Sequence, residues 1–129
     1  MPGARGPILV VDDDPDLLNM LERLLSHDGY EVVTAQSGKL ALAACEEELP
    51  CLIIADLMLP HMDGEQLLGE FRRRYGDAAP PVALLSASAV RDEIAEKMHA
   101  AASIAKPFDM DEIRDVVSRF AGAPHRPRE

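Results

Sequence analysis

The chain has 129 residues, of which 47% are hydrophobic and 28% are charged, a composition typical of one globular domain. Its formal net charge of −10 excludes nucleic-acid binding that depends on neutralising phosphates. No apolar run reaches the length of a membrane span, and Met1–Pro7 lacks the apolar core of a signal peptide, so we expect a cytoplasmic protein without membrane contact. The only cysteines, Cys45 and Cys51, are predicted to be reduced residues of the core.

The first predicted elements are a strand and a helix. Ile8–Val11 is a short, β-branched apolar run, and Asp12-Asp13-Asp14 follows it directly. Asp14 and Pro15 have the pattern of an N-cap and a first helical position, and leucines recur on one face of the helix until Asp28-Gly29. An acidic run therefore lies between the first strand and the first helix.

The next predicted elements are a strand at Tyr30–Thr34 and a helix that opens at Ser37-Gly38 and ends at Leu49-Pro50. A third strand, Cys51–Ala55, is an unbroken apolar run, as expected of a strand buried on both faces of a parallel sheet, and it ends on Asp56. The residues of the second helix predicted to face inward are Leu40, Ala41, Ala44 and Cys45.

Asp56 has two possible roles at this stage. A carboxylate at the end of a buried strand is costly unless it is paired, and the carboxyl ends of strands are where open α/β sheets place their sites. The alternative is that Asp56 caps the following helix, predicted over Glu65–Tyr75, although Asp63 is closer to that helix and fits the cap role better.

The remaining elements repeat the alternation of strand and helix. A fourth strand at Val82–Leu85 ends on Ser86, and a weaker helix is predicted over Val90–Ala102. A fifth strand at Ser103–Ala105 ends on Lys106. A last helix is capped by Asp109 and stopped by Gly122.

Five strands that alternate with five helices predict an α/β fold, a doubly wound parallel sheet with helices on both faces. In such a sheet the residues after the strands lie at one edge, where they can converge. These residues are Asp12, Asp13, Asp56, Ser86 and Lys106. Carboxylates that lie close together need a cation among them, and oxygen ligands suit Mg²⁺. A metal, a free carboxylate, a hydroxyl and an ammonium group are a layout for phosphoryl transfer.

Four segments of the sequence resemble the receiver domain of bacterial two-component response regulators, the CheY-like family. The resemblance extends from about Ile8 to Phe120. The segments are Val10-Val11-Asp12-Asp13-Asp14-Pro15, Asp56-Leu57-Met58-Leu59-Pro60-His61-Met62-Asp63-Gly64, Ser86-Ala87 and Lys106-Pro107-Phe108. The resemblance implies the flavodoxin-like strand order 2-1-3-4-5.

The resemblance also implies roles for the residues at the strand ends. It implies that Asp56 accepts a phosphoryl group from a histidine kinase or a histidine phosphotransfer protein, and that the chain is a signalling domain rather than an enzyme with a separate substrate. It implies Mg²⁺ held by Asp13, Asp56 and the backbone carbonyl of Met58, with Asp12 in the same metal group. Ser86 and Lys106 would contact the phosphoryl oxygens, and the Lys106-Pro107 bond would be cis.

One region departs from the family pattern. The position that usually carries an aromatic switch residue, three before the lysine, is Ser103, and the run from Ser86 to Lys106 is about two residues shorter than usual. We therefore hypothesise that the face formed by the fourth helix and fifth strand signals differently, or that an unusual partner reads it.

Two alternative functions remain open from the sequence. The chain could be a pseudo-receiver that binds partners without phosphorylation, an alternative supported by Ser103 and opposed by the intact acids, Ser86 and Lys106. It could also be an aspartate-nucleophile phosphatase, because Asp12 and Asp14 have the two-residue spacing of those enzymes. Pro15 and the absence of their downstream motifs oppose that alternative.

The predicted organisation is a lead at residues 1–7, a receiver domain at 8–121 and a polar tail or linker stub at 122–129. We expect a monomer or a weak dimer. The cognate kinase, the downstream effector and any continuation past Glu129 are not determined by the sequence.

Overall fold

The computed structural model describes residues 6–59, 61–87, 91–97 and 99–122, without the side chains of residues 91, 92 and 94. The five strands are β1 (Ile8–Val11), β2 (Val32–Ala35), β3 (Leu52–Asp56), β4 (Val82–Ser86) and β5 (Ala102–Ala105). The five helices are α1 (Pro15–His27), α2 (Gly38–Glu47), α3 (Gly64–Tyr75), α4 (Arg91–Lys97) and α5 (Met110–Ala121). A 3₁₀ turn, Gly76–Ala78, lies between α3 and β4.

The strands form one parallel sheet in the order β2-β1-β3-β4-β5, as the resemblance implied. The register pairs Asp56 with Leu85, and the next residue, Ser86, with Ala105. Because the strands run in the same direction, β3, β4 and β5 end at one edge of the sheet. Asp56, Ser86 and Lys106 are thereby brought to this edge.

The sheet separates two hydrophobic clusters, and the alternation of side chains along each strand decides which cluster a residue joins. On β1, Leu9 and Val11 pack in one cluster with α2 and α3, whereas Ile8 and Val10 pack in the other with α1 and α5. All four residues are buried, which explains why the sequence of β1 is apolar throughout.

Three predicted capping residues are confirmed, and Ser37, which was predicted only to open a helix, is a fourth N-cap. Each N-cap side chain accepts a hydrogen bond from a backbone N–H in the first turn, which satisfies a donor that has no partner within the helix. Asp63 and Asp109 also form capping boxes, with Gln66 and Glu112 respectively. The four caps are Asp14, Ser37, Asp63 and Asp109.

Two predictions for the region around β2 and α2 are wrong in detail. The strand covers Val32–Ala35 rather than Tyr30–Thr34, and the hydroxyl of Tyr30 donates instead to the carbonyl of Gly122 at 2.6 Å. Leu40 was predicted to face inward but is 56% exposed, and Leu42 is buried instead. The sequence of α2 has apolar residues, leucines and alanines, on both sides of the helix. Because alanine is compatible with an exposed as well as a buried position, this pattern does not show which leucine faces the core.

The fourth helix is shorter than predicted. It ends at Lys97, and Ala102 already belongs to β5, so the predicted end of the helix at Ala102 is wrong. The predicted start at Val90 lies outside the described residues, as do Pro60 of the second segment that resembles the family and residues 1–5 and 123–129 of the predicted lead and tail. The domain boundaries therefore stay predictions. Among the helices described, none is long and apolar enough to cross a bilayer.

Candidate functional site

Lys106 joins two carboxylates that are far apart in the sequence. Its Nζ donates to Oδ2 of Asp12 and to Oδ2 of Asp56, at 2.8 Å in both cases. The lysine follows β5 directly, where its backbone N–H donates to the carbonyl of Ser86 at 3.0 Å, and the Lys106-Pro107 peptide bond is cis, as implied by the resemblance. The ends of β1, β3 and β5 are thus linked by one ammonium group.

The two carboxylates bound by Lys106 are buried. Asp12 is 0% exposed and Asp56 is 5% exposed. Each also accepts a backbone hydrogen bond at 2.9 Å through Oδ1, Asp12 from the N–H of Asp14 and Asp56 from the N–H of Met58. Asp56 therefore does not cap α3, which was the alternative. Its carboxylate binds the N–H of Met58 in the loop, and the N-cap of α3 is Asp63.

Asp13 completes an acidic cluster. One carboxylate oxygen from each of Asp12, Asp13 and Asp56 lies within 4.8 Å of the others, and Asp13 is exposed whereas the other two are buried. This set offers only oxygen atoms, from one exposed and two buried carboxylates. Such a set fits a hard divalent cation that keeps some of its water, such as Mg²⁺. Met58, whose carbonyl was expected to join the set, is 67% exposed at the same edge.

Ser86 lies at the end of β4 and is 2% exposed. Its neighbour Leu85 is paired with Asp56 across the sheet, so Ser86 lies one residue beyond the phosphoacceptor candidate on the adjacent strand. In the part of the chain that the structure describes, no buried side-chain nitrogen or oxygen lacks a hydrogen-bond partner. The buried polar atoms of the site are therefore all paired.

The burial of these charges shifts their pKa values. Burial raises the pKa of Asp56, and the hydrogen bonds from Lys106 and Met58 oppose this rise without cancelling it. Burial also lowers the pKa of Lys106, but the hydrogen bonds and charges of Asp12 and Asp56 outweigh it and hold this pKa above its ordinary value. The ammonium group is thus retained at neutral pH next to a carboxyl group that ionises with difficulty.

One residue that touches the site was missed as a site residue. Gly64 was named only as the last residue of a segment that resembles the family, yet a Cβ placed on it would lie 2.9 Å from the carbonyl oxygen of Asp56. The sequence signal was a glycine directly after a helix cap, where a glycine has no conformational advantage. A close approach to other backbone was the remaining reason for a glycine at that position.

The comparison with protein families decides which kind of site this is. The family model described as the response regulator receiver domain matches residues 8–118, which is most of the chain. This chain belongs to the response regulator receiver family. Receiver domains are signalling modules of two-component systems, and the predicted family and fold are therefore confirmed.

Individual receiver proteins show the same relation. The transcriptional regulatory protein KdpE of Mycobacterium tuberculosis is 40% identical over 107 residues, which cover 81% of this chain but 46% of KdpE. Sporulation initiation phosphotransferase F of Bacillus subtilis is 35% identical over 115 residues, covering 88% of this chain and 91% of that protein. This chain thus spans about half of one relative and nearly all of the other.

A solved receiver structure that contains a metal ion is also similar to this chain. The response regulator TrrA of Thermotoga maritima, in complex with Mg²⁺ and BeF, superposes with a TM-score of 0.78 at 31% identity. The superposition covers 89% of this chain and 98% of that one. The acidic cluster of the present receiver domain therefore belongs to a fold that has been observed with this metal.

The atypical position of this receiver domain lies on β5. Ser103 is half-buried and pairs in register with Leu84 of β4. Next to this strand, His99 adopts a left-handed backbone with φ of 57°, and its carbonyl accepts a hydrogen bond from Arg72 at 2.9 Å. The hypothesis that this face signals differently stays a prediction.

Proposed function

We propose that this receiver domain is phosphorylated on Asp56 in a Mg²⁺-dependent reaction, and that the phosphorylated form switches the interactions of a partner or effector. The observation that supports the proposal most directly is the buried carboxylate of Asp56 at the end of β3, held at 2.8 Å by Lys106 and clustered with Asp12 and Asp13. A charge buried there is costly for folding, which is the situation expected of a functional group.

The chemistry follows from the positions of these groups. An oxygen of Asp56 attacks the phosphorus of a phosphohistidine, the new O–P bond forms, and the N–P bond breaks with its electron pair going to the imidazole nitrogen. Lys106 lies at one oxygen of Asp56 and neutralises charge that develops on the transferring group. The N–H of Met58 holds the other oxygen, which orients the carboxylate. Ser86, one residue beyond on β4, would donate its hydroxyl to the phosphoryl group.

Asp12, Asp13, Asp56 and the carbonyl of Met58 would hold the Mg²⁺. When bound, this ion supplies positive charge that screens the acidic cluster and stabilises the oxygens of the transferring phosphoryl group. The donor would be a histidine kinase or a histidine phosphotransfer protein. This chain spans only about half of KdpE, so the activity of the whole KdpE protein is not assigned to it, and the effector is proposed without a named activity.

The test uses the wild-type protein with MgCl₂ and acetyl phosphate as the phosphodonor. Intact-mass spectrometry should detect one added phosphoryl group on the wild type and none on Asp56→Asn, a variant of nearly the same size and without the nucleophilic oxygen. EDTA should prevent the addition. An adduct that persists in Asp56→Asn would contradict the proposed acceptor.

A pseudo-receiver is the second candidate, and Ser103 is the observation that favours it. A small half-buried side chain at this position lacks the bulk to couple the site to the β5 face by a ring movement. Absence of any adduct on the folded wild type, with Mg²⁺ and donor in excess, would favour this candidate.

A further inference from the structure

Gly64, the first residue of α3, packs directly against the backbone of the phosphoacceptor strand. A Cβ at this position would lie 2.8 Å from Cα of Leu57 and 2.9 Å from the carbonyl oxygen of Asp56, distances that real Cβ atoms do not show. Both neighbours are backbone atoms at the end of β3, where Leu57 is itself bonded to Leu85 of β4 through its N–H at 3.0 Å. A side chain at position 64 would therefore displace either this strand end or the start of α3.

The same glycine is also bonded to the peptide group that orients Asp56. The N–H of Gly64 donates to the carbonyl of Leu57 at 2.7 Å. That carbonyl belongs to the peptide bond between Leu57 and Met58, whose N–H donates to Oδ1 of Asp56 at 2.9 Å. Because a peptide bond is planar, its carbonyl and its N–H move together. One rigid group thus connects Gly64 to the carboxylate.

We propose that Gly64 is a positioning residue for phosphoryl transfer, which fixes the Leu57–Met58 peptide group and through it the orientation of the Asp56 carboxylate. The inference rests on the proposed function, but its geometric part applies to Asp56 whether or not the protein is phosphorylated. Gly64 contacts no reacting atom, and its effect is transmitted by backbone alone.

Two other glycines provide matched controls. Gly69 lies within the same helix, and a Cβ there would meet nothing within 4 Å. For Gly38, at the start of α2, the three atoms nearest to such a Cβ all belong to the side chain of Met62, and the nearest is its sulfur at 2.7 Å. A flexible methionine can move aside at small cost, whereas the backbone at the end of β3 cannot. Helix propensity by itself favours alanine over glycine at all three positions.

The experiment compares Gly64→Ala, Gly38→Ala and Gly69→Ala for phosphorylation by acetyl phosphate at saturating MgCl₂. We expect Gly64→Ala to slow the rate by between about tenfold and about a hundredfold, the loss that follows a displacement of about 1 Å. Gly38→Ala should show a smaller loss and Gly69→Ala none. Rates are corrected for the folded fraction, determined by circular dichroism.

A second readout follows the hydrogen bond itself, without Mg²⁺ or donor. In protein labelled with ¹⁵N-methionine, the Met58 amide proton should move upfield in Gly64→Ala as its bond to Asp56 weakens, whereas that of Met110 on α5 stays unchanged. A loss of stability alone would not move one amide selectively. An unchanged Met58 resonance in folded Gly64→Ala, or a wild-type rate of phosphorylation, would overturn the inference.

Two further results keep this proposal separate from the proposed function. If Gly64→Ala does not fold, Asp56→Asn should shift the amide of Gly64 but not that of Gly69, and no shift at Gly64 would overturn the inference. If the wild type takes up no phosphoryl group, the proposed function fails, and the methionine spectra still decide the positioning role of Gly64.

Discussion

Asp56 has a stability cost that follows from its surroundings. Burial raises its pKa above the ordinary value for an aspartate, so the folded state holds the proton more tightly than the unfolded state. The contribution of Asp56 to stability is therefore full below the unfolded pKa and is lost as the pH rises through the folded pKa. At neutral pH the ionised carboxylate is a destabilising element that the fold retains.

We expect Asp56→Asn to increase the free energy of unfolding at pH 7 by on the order of 1 kcal/mol, because the amide carries no charge to bury. Urea denaturation at pH 7 and at pH 4 checks this, since the gain should shrink as the wild-type carboxyl becomes protonated. A loss of stability at pH 7 would show that the bond to Lys106 outweighs the burial of the charge.

The charged form of Lys106 has the opposite effect on stability at neutral pH from the charged form of Asp56. The pKa of Lys106 is raised in the folded state, so its contribution is fully present below the unfolded pKa and is lost only as the pH rises through the folded pKa, in the alkaline range. At neutral pH the ammonium therefore stabilises the fold, because it compensates two buried carboxylates at once.

Lys106→Met should lower the free energy of unfolding at pH 7 by about 3 kcal/mol, the lower end for a broken buried pair. The lower end applies because 27% of the lysine side chain is exposed. The cost should diminish toward pH 3, because Asp56, whose pKa is raised by burial, becomes neutral there. Lys39→Met, at an exposed position on α2, is the control and should change stability by less than about 0.5 kcal/mol at either pH. Equal losses for both variants would contradict the account.

At the scale of elements, the caps and strand ends place the site. Asp63 ends the loop after β3 with a capping box, and α3 begins at Gly64 against the end of that strand. α1 begins in the same way at Pro15, directly after its cap Asp14, whose N–H donates to Oδ1 of Asp12. Each of the two buried carboxylates is thus oriented by the backbone of the loop that leads into the next helix.

The inner face of α2 provides a test of packing at this scale. Leu42 is 6% exposed and Leu40 is 56% exposed, although the two residues belong to the same helix and are two positions apart. Leu42→Ala should cost about 2–4 kcal/mol of unfolding free energy through lost burial and a residual cavity. Leu40→Ala should cost less than about 0.5 kcal/mol. Urea denaturation of the pair decides, and similar costs would place both leucines in the core.

At the scale of the whole molecule, the net charge of −10 and the acidic cluster both destabilise the folded chain by repulsion between negative charges, and cations relieve both. Any salt screens the overall repulsion of an acidic chain, whereas a divalent cation also binds where oxygens of Asp12, Asp13 and Asp56 lie within 4.8 Å of one another. The two effects are separable, because only the second depends on these particular residues.

We expect MgCl₂ to raise the thermal midpoint of the wild type more than NaCl of equal ionic strength. A ligand that binds only the folded state adds about 2.7 kcal/mol at a hundred times its Kd. Asp13→Asn, which removes the exposed member of the cluster, should lose most of the difference between the two salts and keep the effect of NaCl. The same Mg²⁺ increment in Asp13→Asn and wild type would exclude Asp13 as a ligand.

The sequence by itself determined the element types and the residues that follow each strand. Apolar runs of strand length, leucines at helical spacing and side chains such as Asp14 and Asp63 at helix starts act over a few residues, so local physical chemistry is sufficient to predict them. The alternation of strand and helix then restricted the fold to a parallel sheet with its polar residues at one edge.

Only the tertiary structure decided which of those residues touch. Lys106 is separated from Asp56 by 50 positions and from Asp12 by 94, and both contacts depend on strand order and register rather than on any local pattern. The exposure of Leu40 and the contact of Gly64 with the end of β3 were likewise decided by packing. Local rules specify elements, but distances between elements depend on how the whole sheet is assembled.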